Sequence, residues 1–334
     1  MNRKSFLLTA VASTAMAALT WSSPAKAATT LKVSSCLIKT HDHVETFLQL
    51  YVKPVNDAKS GLTLRYIGGP EVTPRKKQAP ALKRGLVDVI FCPTPYYGDV
   101  VPEARLPGAH NVSLAEMRKN GAWDMLKEAW AKKLNGYILA FPAFEASTFY
   151  IYTKFKPKFS TKTGLDLTGR KMRSTGLYNP LLKAMHATPI TISPGDVYSG
   201  LERGVVDGLA WPKGSLAKYG WQRFLKYRIG PNFYGATQFV VINLDKYNNL
   251  SKAHKDLLAK QATIYEKTSD AMLEKKFLID DQKLVEAGVK TIILKGAEGK
   301  AFLDTIYGAK WAKNDTYKYT VDYKKLKAKL YKTE

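Results

Sequence analysis

Few residues in this sequence could carry out covalent or metal chemistry, and none of them forms a familiar catalytic motif. The chain contains no HExxH, paired CxxC, Walker loop, GxGxxG or GxSxG pattern. Its one metal-like cluster is His41-Asp42-His43. Because adjacent residues on a loop rarely converge on one ion, we interpret this cluster as a surface turn and a helix N-cap. The pattern favours binding without catalysis, metal or cofactor; an enzyme acting on an acid substrate stays the alternative.

The two cysteines, Cys36 and Cys92, lie at the ends of predicted strands at 31–35 and 87–91. These strands would be neighbours in a parallel α/β sheet, and export to an oxidising compartment would permit a disulfide. A disulfide and two buried free thiols are both compatible with the sequence.

The elements that must position any site alternate strands with helices, which is typical of α/β lobes. Short β-branched and aromatic runs predict strands at 31–35, 62–67, 87–91, 136–141, 148–153, 171–174, 189–192, 238–243 and 291–294. Apolar residues at helical spacing predict helices at 43–58, 73–84, 113–135, 180–186, 194–203, 251–288 and 298–310. The chain thus begins as an open parallel sheet, and a second α/β unit follows.

One turn signature, Leu-x-Arg-Gly-x-Val-Asp, occurs twice, at 82–88 and at 201–207. Gly85 and Gly204 suit the left-handed position that ends a helix, and the Asp that follows each can satisfy backbone N–H groups at the turn. Two copies at equivalent places indicate two lobes built to one plan. Ligands of open α/β sheets bind at the carboxyl ends of the strands, which would face the cleft between such lobes.

The first 27 residues have the features of a secretory signal peptide, with Ala25-Lys26-Ala27 before the predicted cleavage site, which predicts a periplasmic protein. The formal net charge is +24, and lysines are spread over the whole chain. We therefore expect no nucleic-acid partner and interpret the charge as a field that draws anionic solutes. The lysine-rich end at 318–332 is predicted to be a solvated face.

Three motifs then carry a family resemblance. They are Leu-Thr-Gly-Arg-Lys-Met-Arg at 167–173, Ala-Thr-Pro-Ile at 187–190, and the block from Asp196 to Gly208 that contains the second turn. In order and spacing they resemble the solute-binding proteins of tripartite ATP-independent periplasmic (TRAP) transporters, dicarboxylate-binding type. The resemblance implies an α/β, two-lobed periplasmic binding protein fold, type II-like, with hinge strands and a long helix spanning both lobes. Lobe I would comprise 28–146 plus 236–270, and lobe II 147–235 plus 271–334 with the C-terminal helices.

The resemblance also implies site residues. Arg173 matches the arginine that holds a carboxylate, and its planar guanidinium offers two parallel donors to such a group. Trp211 stands where relatives often have Asn and could stack on a flat solute. A second arginine of some relatives has no counterpart in the aromatic stretch at 147–152, which puts a simple dicarboxylate in doubt. Further candidates in loops and strand ends facing the cleft are Glu71, Tyr96, Tyr97, Phe149, Phe233 and Gln238.

The implied function is capture of an organic anion, a keto, hydroxy or aromatic acid, and its delivery to a sodium-driven TRAP permease. The expected partners are this solute and the permease subunits, and the expected oligomeric state is a monomer. The alternative within binding proteins is a periplasmic sensor input that presents the solute to a membrane receptor.

Overall fold

Two large β-sheets, one for each lobe as the duplicated turn predicts, and a small two-stranded antiparallel sheet organise the described part of the chain. The computed structural model describes residues 28–142 and 147–332, so the predicted signal peptide lies outside the described residues. The strands are β1 (Thr29–Ser35), β2 (Leu62–Gly68), β3 (Val89–Pro93), β4 (Gly136–Ala140), β5 (Thr148–Thr153), β6 (Lys158–Ser160), β7 (Gly164–Asp166), β8 (Lys171–Ser174), β9 (Thr188–Thr191), β10 (Gly208–Pro212), β11 (Tyr227–Gly235), β12 (Gln238–Asn243) and β13 (Lys290–Ile293).

The helices pack as layers around these sheets, and one of them is far longer than the rest. They are α1 (Asp42–Phe47), α2 (Lys53–Asp57), α3 (Arg75–Lys83), α4 (Leu114–Asn120), α5 (Ala122–Leu134), α6 (Asn179–Ala184), α7 (Val197–Glu202), α8 (Leu244–Asn248), α9 (Lys252–Glu286), α10 (Gly296–Asn314) and α11 (Tyr323–Leu330). A π-helical segment, Leu48–Val52, joins α1 to α2 within the predicted helix 43–58. No helix of the described residues is both long and apolar enough to cross a membrane.

Each of the two large sheets combines parallel strands with an antiparallel strand from a distant part of the chain. The first has the order β2-β1-β3-β12-β4, in which β12 runs antiparallel to both β3 and β4. The second has the order β13-β11-β5-β10-β8-β9, in which β5 runs antiparallel to β10 and β11. The chain crosses from the second sheet to the first over Ala236 and Thr237, between β11 and β12.

The two copies of the turn are the same structural device. Gly85 and Gly204 both have a φ of 70°, and each is followed by an aspartate whose carboxylate caps the neighbouring strand. The Asp88 carboxylate accepts a hydrogen bond from the backbone N–H of Lys32 at 2.8 Å, and the Asp88 N–H donates to the Lys32 carbonyl at 3.0 Å. Asp207 makes the same pair of bonds with the backbone of Lys171, at 2.9 and 2.7 Å. The repeat therefore fixes the start of β3 and β10 against their neighbours.

Helix α9 spans both lobes, as predicted. In its first half, Tyr265 packs against Phe47 and Tyr51 of the first lobe, with ring centroids 6.1 and 5.9 Å apart. In its second half, the Asp280 carboxylate accepts a hydrogen bond from the Ala217 N–H at 2.9 Å, and Leu284 is buried among second-lobe residues. This result confirms the two-lobed α/β fold class.

The C-terminal segment is solvated on its lysine side, as predicted, but its other side is buried. Lys318, Lys324, Lys325 and Lys332 are exposed, whereas Leu326 and Leu330 of α11 are fully buried against α4 and α5. The Glu103 carboxylate also accepts hydrogen bonds from the backbone N–H groups of Thr320 and Val321. Two leucines four residues apart give this lysine-rich helix one apolar stripe. The segment, assigned to lobe II from the sequence, therefore packs on helices of the first lobe.

Candidate ligand-binding site

A cavity lies between the two lobes, beyond the carboxyl ends of β1 and β3 and next to the crossing from β11 to β12. The cavity is partly open to solvent, and residues of both lobes line it. The first lobe contributes Leu37, His41, His43, Pro93 and Tyr96, the second Phe149, Thr175, Tyr178 and Trp211, and the crossing Thr237 and Gln238. The lining is mostly apolar and aromatic, with a few polar groups.

A disulfide holds the first-lobe side of this cavity. Cys36 and Cys92 are bonded, with Cα atoms 4.9 Å apart, and the Cys36 N–H donates to the Phe91 carbonyl at 3.0 Å. The bond joins the ends of the parallel neighbours β1 and β3. It therefore ties together the two loops that carry Leu37 and Pro93 into the cavity wall.

Arg173 lies beside the cavity rather than on its surface. Its side chain is fully buried in β8, and its Nε donates to the Ile192 carbonyl at 3.2 Å. Its two terminal nitrogens are buried and have no hydrogen-bond partner among the described residues. Burial lowers the pKa of this guanidinium, but arginine stays charged in proteins. The result is a buried cation with two free donors.

Trp211 forms the cavity wall next to this cation. The Arg173 guanidinium carbon lies 5.4 Å from the centroid of the Trp211 ring, within the range of a cation–π contact. The indole N–H donates to the Gly214 carbonyl at 3.2 Å, and the ring packs edge-on against Trp221 at 4.7 Å and His41 at 6.2 Å. Trp211 is thus both a lining residue and part of an aromatic cluster.

The His41-Asp42-His43 turn is buried, so its prediction as a surface turn is wrong. The three residues are 2–3% exposed, and the two histidines line the cavity. His41 is nevertheless the N-cap of α1, as predicted, since its Nδ1 accepts a hydrogen bond from the His43 N–H at 3.2 Å. The physical reason for burial is that α1 begins inside the cleft. The position of this turn after β1 could have indicated from the sequence that it faces the cleft, because ligands bind beyond the carboxyl ends of strands.

His43 is the centre of a neutral hydrogen-bond chain. The Gln238 amide N–H donates to His43 Nδ1, which places the ring proton on Nε2. Nε2 then donates to the Ser147 hydroxyl at 3.1 Å, and Ser147 donates to the Lys213 carbonyl at 3.1 Å. Burial lowers the pKa of His43 well below 6.5 and that of His41 to about 4, so both rings are neutral near pH 7. The amide oxygen of Gln238 has no hydrogen-bond partner among the described residues.

The other sequence candidates divide between the cavity and its surroundings. Tyr96 and Phe149, like Trp211 and Gln238, line the cavity. Tyr97 is in the core instead, where its hydroxyl donates to the Phe239 carbonyl at 3.1 Å. Phe233 packs against Phe302 at 5.9 Å, and its neighbour Tyr234 reaches the cavity in its place. Glu71 is exposed, and its carboxylate accepts a hydrogen bond from the Gly69 N–H at 2.6 Å, which closes a turn.

An interlobe ion cluster closes one side of the cleft; we use this name for Asp42, Glu45, Ser215, Lys218 and Lys276. Lys218 Nζ lies 2.8 Å from the carboxylates of both Asp42 and Glu45, and Lys276 Nζ lies 2.7 Å from Glu45. The Ser215 hydroxyl donates to Asp42 at 2.7 Å and accepts from the Asp42 N–H at 2.9 Å. Burial acts to raise the pKa of Asp42, but the bonds from Lys218 and Ser215 outweigh it and lower that pKa. The acids of α1 are therefore fully paired across the cleft.

Two α/β lobes that close on a cavity define the class of protein as a two-lobed binding protein. The model of the family described as bacterial extracellular solute-binding protein, family 7, matches residues 71–309, more than half of the chain. The chain therefore belongs to this family, the solute receptors of TRAP transporters, and the family resemblance stated from the sequence is confirmed.

Comparisons with individual proteins agree with this assignment. The chain is 29% identical over 111 residues to a Monocarboxylate 2-oxoacid-binding periplasmic protein of Nostoc sp., a match that covers 32% of this chain and 30% of that protein. Its fold is similar to that of a Bordetella pertussis extracytoplasmic solute receptor binding pyroglutamic acid, with a TM-score of 0.77, 17% identity, and 91% and 99% of the two chains covered. It is also similar to a TRAP periplasmic solute binding protein from Desulfovibrio salexigens with bound orotic acid. The TM-score there is 0.74 and the identity 15%, with 85% of this chain and 92% of that chain covered.

Proposed function

We propose that this receptor captures an organic acid between its lobes, with Arg173 holding the carboxylate, and delivers it to a sodium-driven TRAP permease. The observation that carries the proposal is the pair of buried, unpartnered terminal nitrogens of Arg173. A buried charge without a partner is strongly unfavourable, so this position implies an anionic ligand. Two parallel N–H donors match the geometry of one carboxylate.

The surroundings of Arg173 support a solute with a flat or apolar body. Trp211, Phe149 and Tyr178 supply aromatic surface, and the polar groups of the lining include the neutral His41 and the amide of Gln238. The free amide oxygen of Gln238 can accept a hydrogen bond from a solute hydroxyl or N–H group. This combination favours a keto, hydroxy or aromatic acid. The acids named for two similar receptors are both cyclic carboxylic acids, the flat orotic acid and the lactam pyroglutamic acid.

Closure of the lobes would make the receptor's surface depend on the solute. The interlobe ion cluster joins α1 to the 215–218 turn of the second lobe, so it can form when the lobes are closed. A solute that bridges Arg173 and the first-lobe wall would favour the same closed state. The permease would then read a surface that exists when solute is bound.

The test is calorimetric titration of the refolded, ligand-free protein with keto, hydroxy and aromatic acids. The ligand that co-purifies, identified by mass spectrometry, joins this panel. Arg173→Ala should weaken the best acid by about 100-fold or more, because each hydrogen bond to a charged group contributes roughly 1.5–3 kcal/mol. Arg173→Lys should recover part of the loss, since an ammonium keeps the charge but not the planar fork.

The matched control is Arg170→Ala, three residues earlier in the chain. Its guanidinium stacks on Phe155 at 4.1 Å, and its removal should leave the affinity within about twofold, as expected of a residue that does not contact the solute. Full affinity of Arg173→Ala for every acid would refute the proposal. Transport is tested by adding the liganded receptor to vesicles that contain the permease, where uptake should require an inward sodium gradient.

A further inference from the structure

A second buried cation borders the cavity, on helix α10. The Lys310 side chain is 4% exposed and lines the cavity on its outer side. It also lines a wider groove outside the cavity, which we call the outer groove. Six cationic residues line this outer groove: Arg75, Lys76, Arg105, Lys183, Lys310 and Lys313. Lys310 therefore lies where the inner cavity meets the outer groove.

Within the described part of the chain, no carboxylate pairs with Lys310. Its ammonium lies 5.7 Å from the centroid of the Tyr234 ring, and the charged group whose field acts on it is Arg105, a second cation. The acid that lines the outer groove, Asp99, is paired with Arg105 at 3.3 Å. Tyr234 supplies no negative charge, because burial raises its pKa well above 10 and its hydroxyl stays a neutral phenol that donates to the Ile306 carbonyl at 3.0 Å.

Structural packing alone does not explain a lysine at this position. A lysine that serves packing buries its aliphatic stem and extends its ammonium into water. The long lysines of α10 and α11 do this or pair with acids, as Lys300 does with Asp304 at 2.6 Å. Lys310 instead holds its ammonium in a site where burial and the charge of Arg105 lower its pKa to about 7. An anion next to the Lys310 ammonium would offset both the cost of its burial and its repulsion by Arg105.

We propose that Lys310 binds a second negative group of the solute, so that the receptor selects organic acids with two anionic groups. This inference rests on the proposed function, in which Arg173 takes the first carboxylate. The two cations reach the solute from different walls, Arg173 from β8 beside Trp211 and Lys310 from α10 beside Tyr234. Some relatives have a second arginine in the stretch that corresponds to 147–152, and this chain has none there. In this proposal Lys310 of α10 supplies the second cation instead.

The experiment compares diacids with their own monoamides, which have the same shape and one charge less. The probes are malonate through suberate, isophthalate and terephthalate, each with its monoamide, titrated into the ligand-free full chain at pH 6.5. The wild-type protein should bind its best diacid about 10-fold or more tightly than the monoamide, the range of a charge pair in a partly desolvated site. Lys310→Met should remove this preference and leave the monoamide affinity within about threefold.

Two further variants keep the result interpretable. Lys300→Met, on the exposed side of the same helix, should leave the preference for the diacid unchanged. Arg173→Ala should weaken the diacid and the monoamide alike. Lys310→Gln repeats the measurement with a polar side chain, in case methionine alters the packing around Tyr234.

Three outcomes would overturn the inference, and a fourth would refute the proposed function. Equal affinities of the wild type for diacid and monoamide would overturn it, as would a preference that survives in Lys310→Met. Binding of monoacids through Arg173 with no binding of any diacid would overturn it too and leave the proposed function intact. Acid binding that is independent of Arg173 in every series would refute the proposed function itself.

Discussion

The charged groups on the two sides of the cavity differ in whether they have partners of opposite charge. On the side of α1, the carboxylates of Asp42 and Glu45 are paired with Lys218 and Lys276 within 2.8 Å. On the other side, Arg173 and Lys310 are buried and have no acidic partner among the described residues. The paired charges join the two lobes, whereas we propose that the unpaired, buried ones are neutralised by a bound anionic ligand.

The largest difference should appear when one charge is removed from the paired side. Asp42→Ala leaves Lys218 and Ser215 facing each other without their carboxylate, so the protein should lose about 2–4 kcal/mol of stability, as when a buried pair loses one partner. Thermal unfolding measures the loss. The folded pKa of Asp42 is lowered, so its contribution is present above the ordinary aspartate pKa and disappears as pH falls through the folded value.

The control for Asp42 is Asp304→Ala, which removes an exposed pair with Lys300. That pair is 62–78% exposed and should contribute less than about 0.5 kcal/mol. If Asp42→Ala were no more destabilising than Asp304→Ala, the interlobe ion cluster would not hold the lobes, and the comparison of the two sides would fail.

The sequence predicted the frame of this cavity better than its lining. The strand at 238–243 matches β12, because its residues form one uninterrupted β-branched and aromatic run that is fully buried. Strand β11 was missed, because Gly230-Pro231 and Gly235 are typical of turns. The structure accommodates the proline with a register shift between Ile229 and Phe233, where β11 loses regular pairing with β5.

Lys310 and the two histidines show why some cavity-lining residues were missed. A chain with 52 lysines and arginines gives no sequence signal for the one lysine of α10 that faces a cavity, since solvated lysines occur at the same helical spacing. His41 and His43 were interpreted from local chemistry as a surface turn and a helix N-cap. The structure confirms the N-cap, which His41 forms. Their burial depends on the second lobe, which no local pattern contains. Arg173 was identified because a family motif, rather than periodicity, marks it.

On the unpaired side, removing a charge should stabilise the ligand-free protein. Below pH 7 both folded and unfolded chains carry the Lys310 proton, so the full cost of burying the charge is present. Between pH 7 and about 10 the unfolded chain binds a proton that the folded chain lacks, so wild-type stability rises with pH. Lys310→Met should therefore be more stable than the wild type at pH 6, by about 1–3 kcal/mol.

The pH profile distinguishes this effect from improved packing. The stability difference between Lys310→Met and the wild type should shrink steadily as the pH is raised from 7 to about 10 in parallel thermal melts. A constant difference would mean that methionine packs better against Tyr234, and a less stable variant at pH 6 would mean that the ammonium has a partner in the folded protein.

The smallest effect should come from the exposed cations of the outer groove, which are unpaired but solvated. Lys76, Lys183 and Lys313 lie around its rim, so they add to the positive field without a desolvation cost. Replacing all three with Gln should slow association of an anionic solute by about two- to fivefold at low salt and leave dissociation unchanged. The difference should vanish near 0.5 M salt, where charges farther apart than about 4 Å are largely screened from each other. Stopped-flow binding measures both rates, and a change in dissociation would mean that these lysines contact the bound solute, as we propose for Arg173 and Lys310.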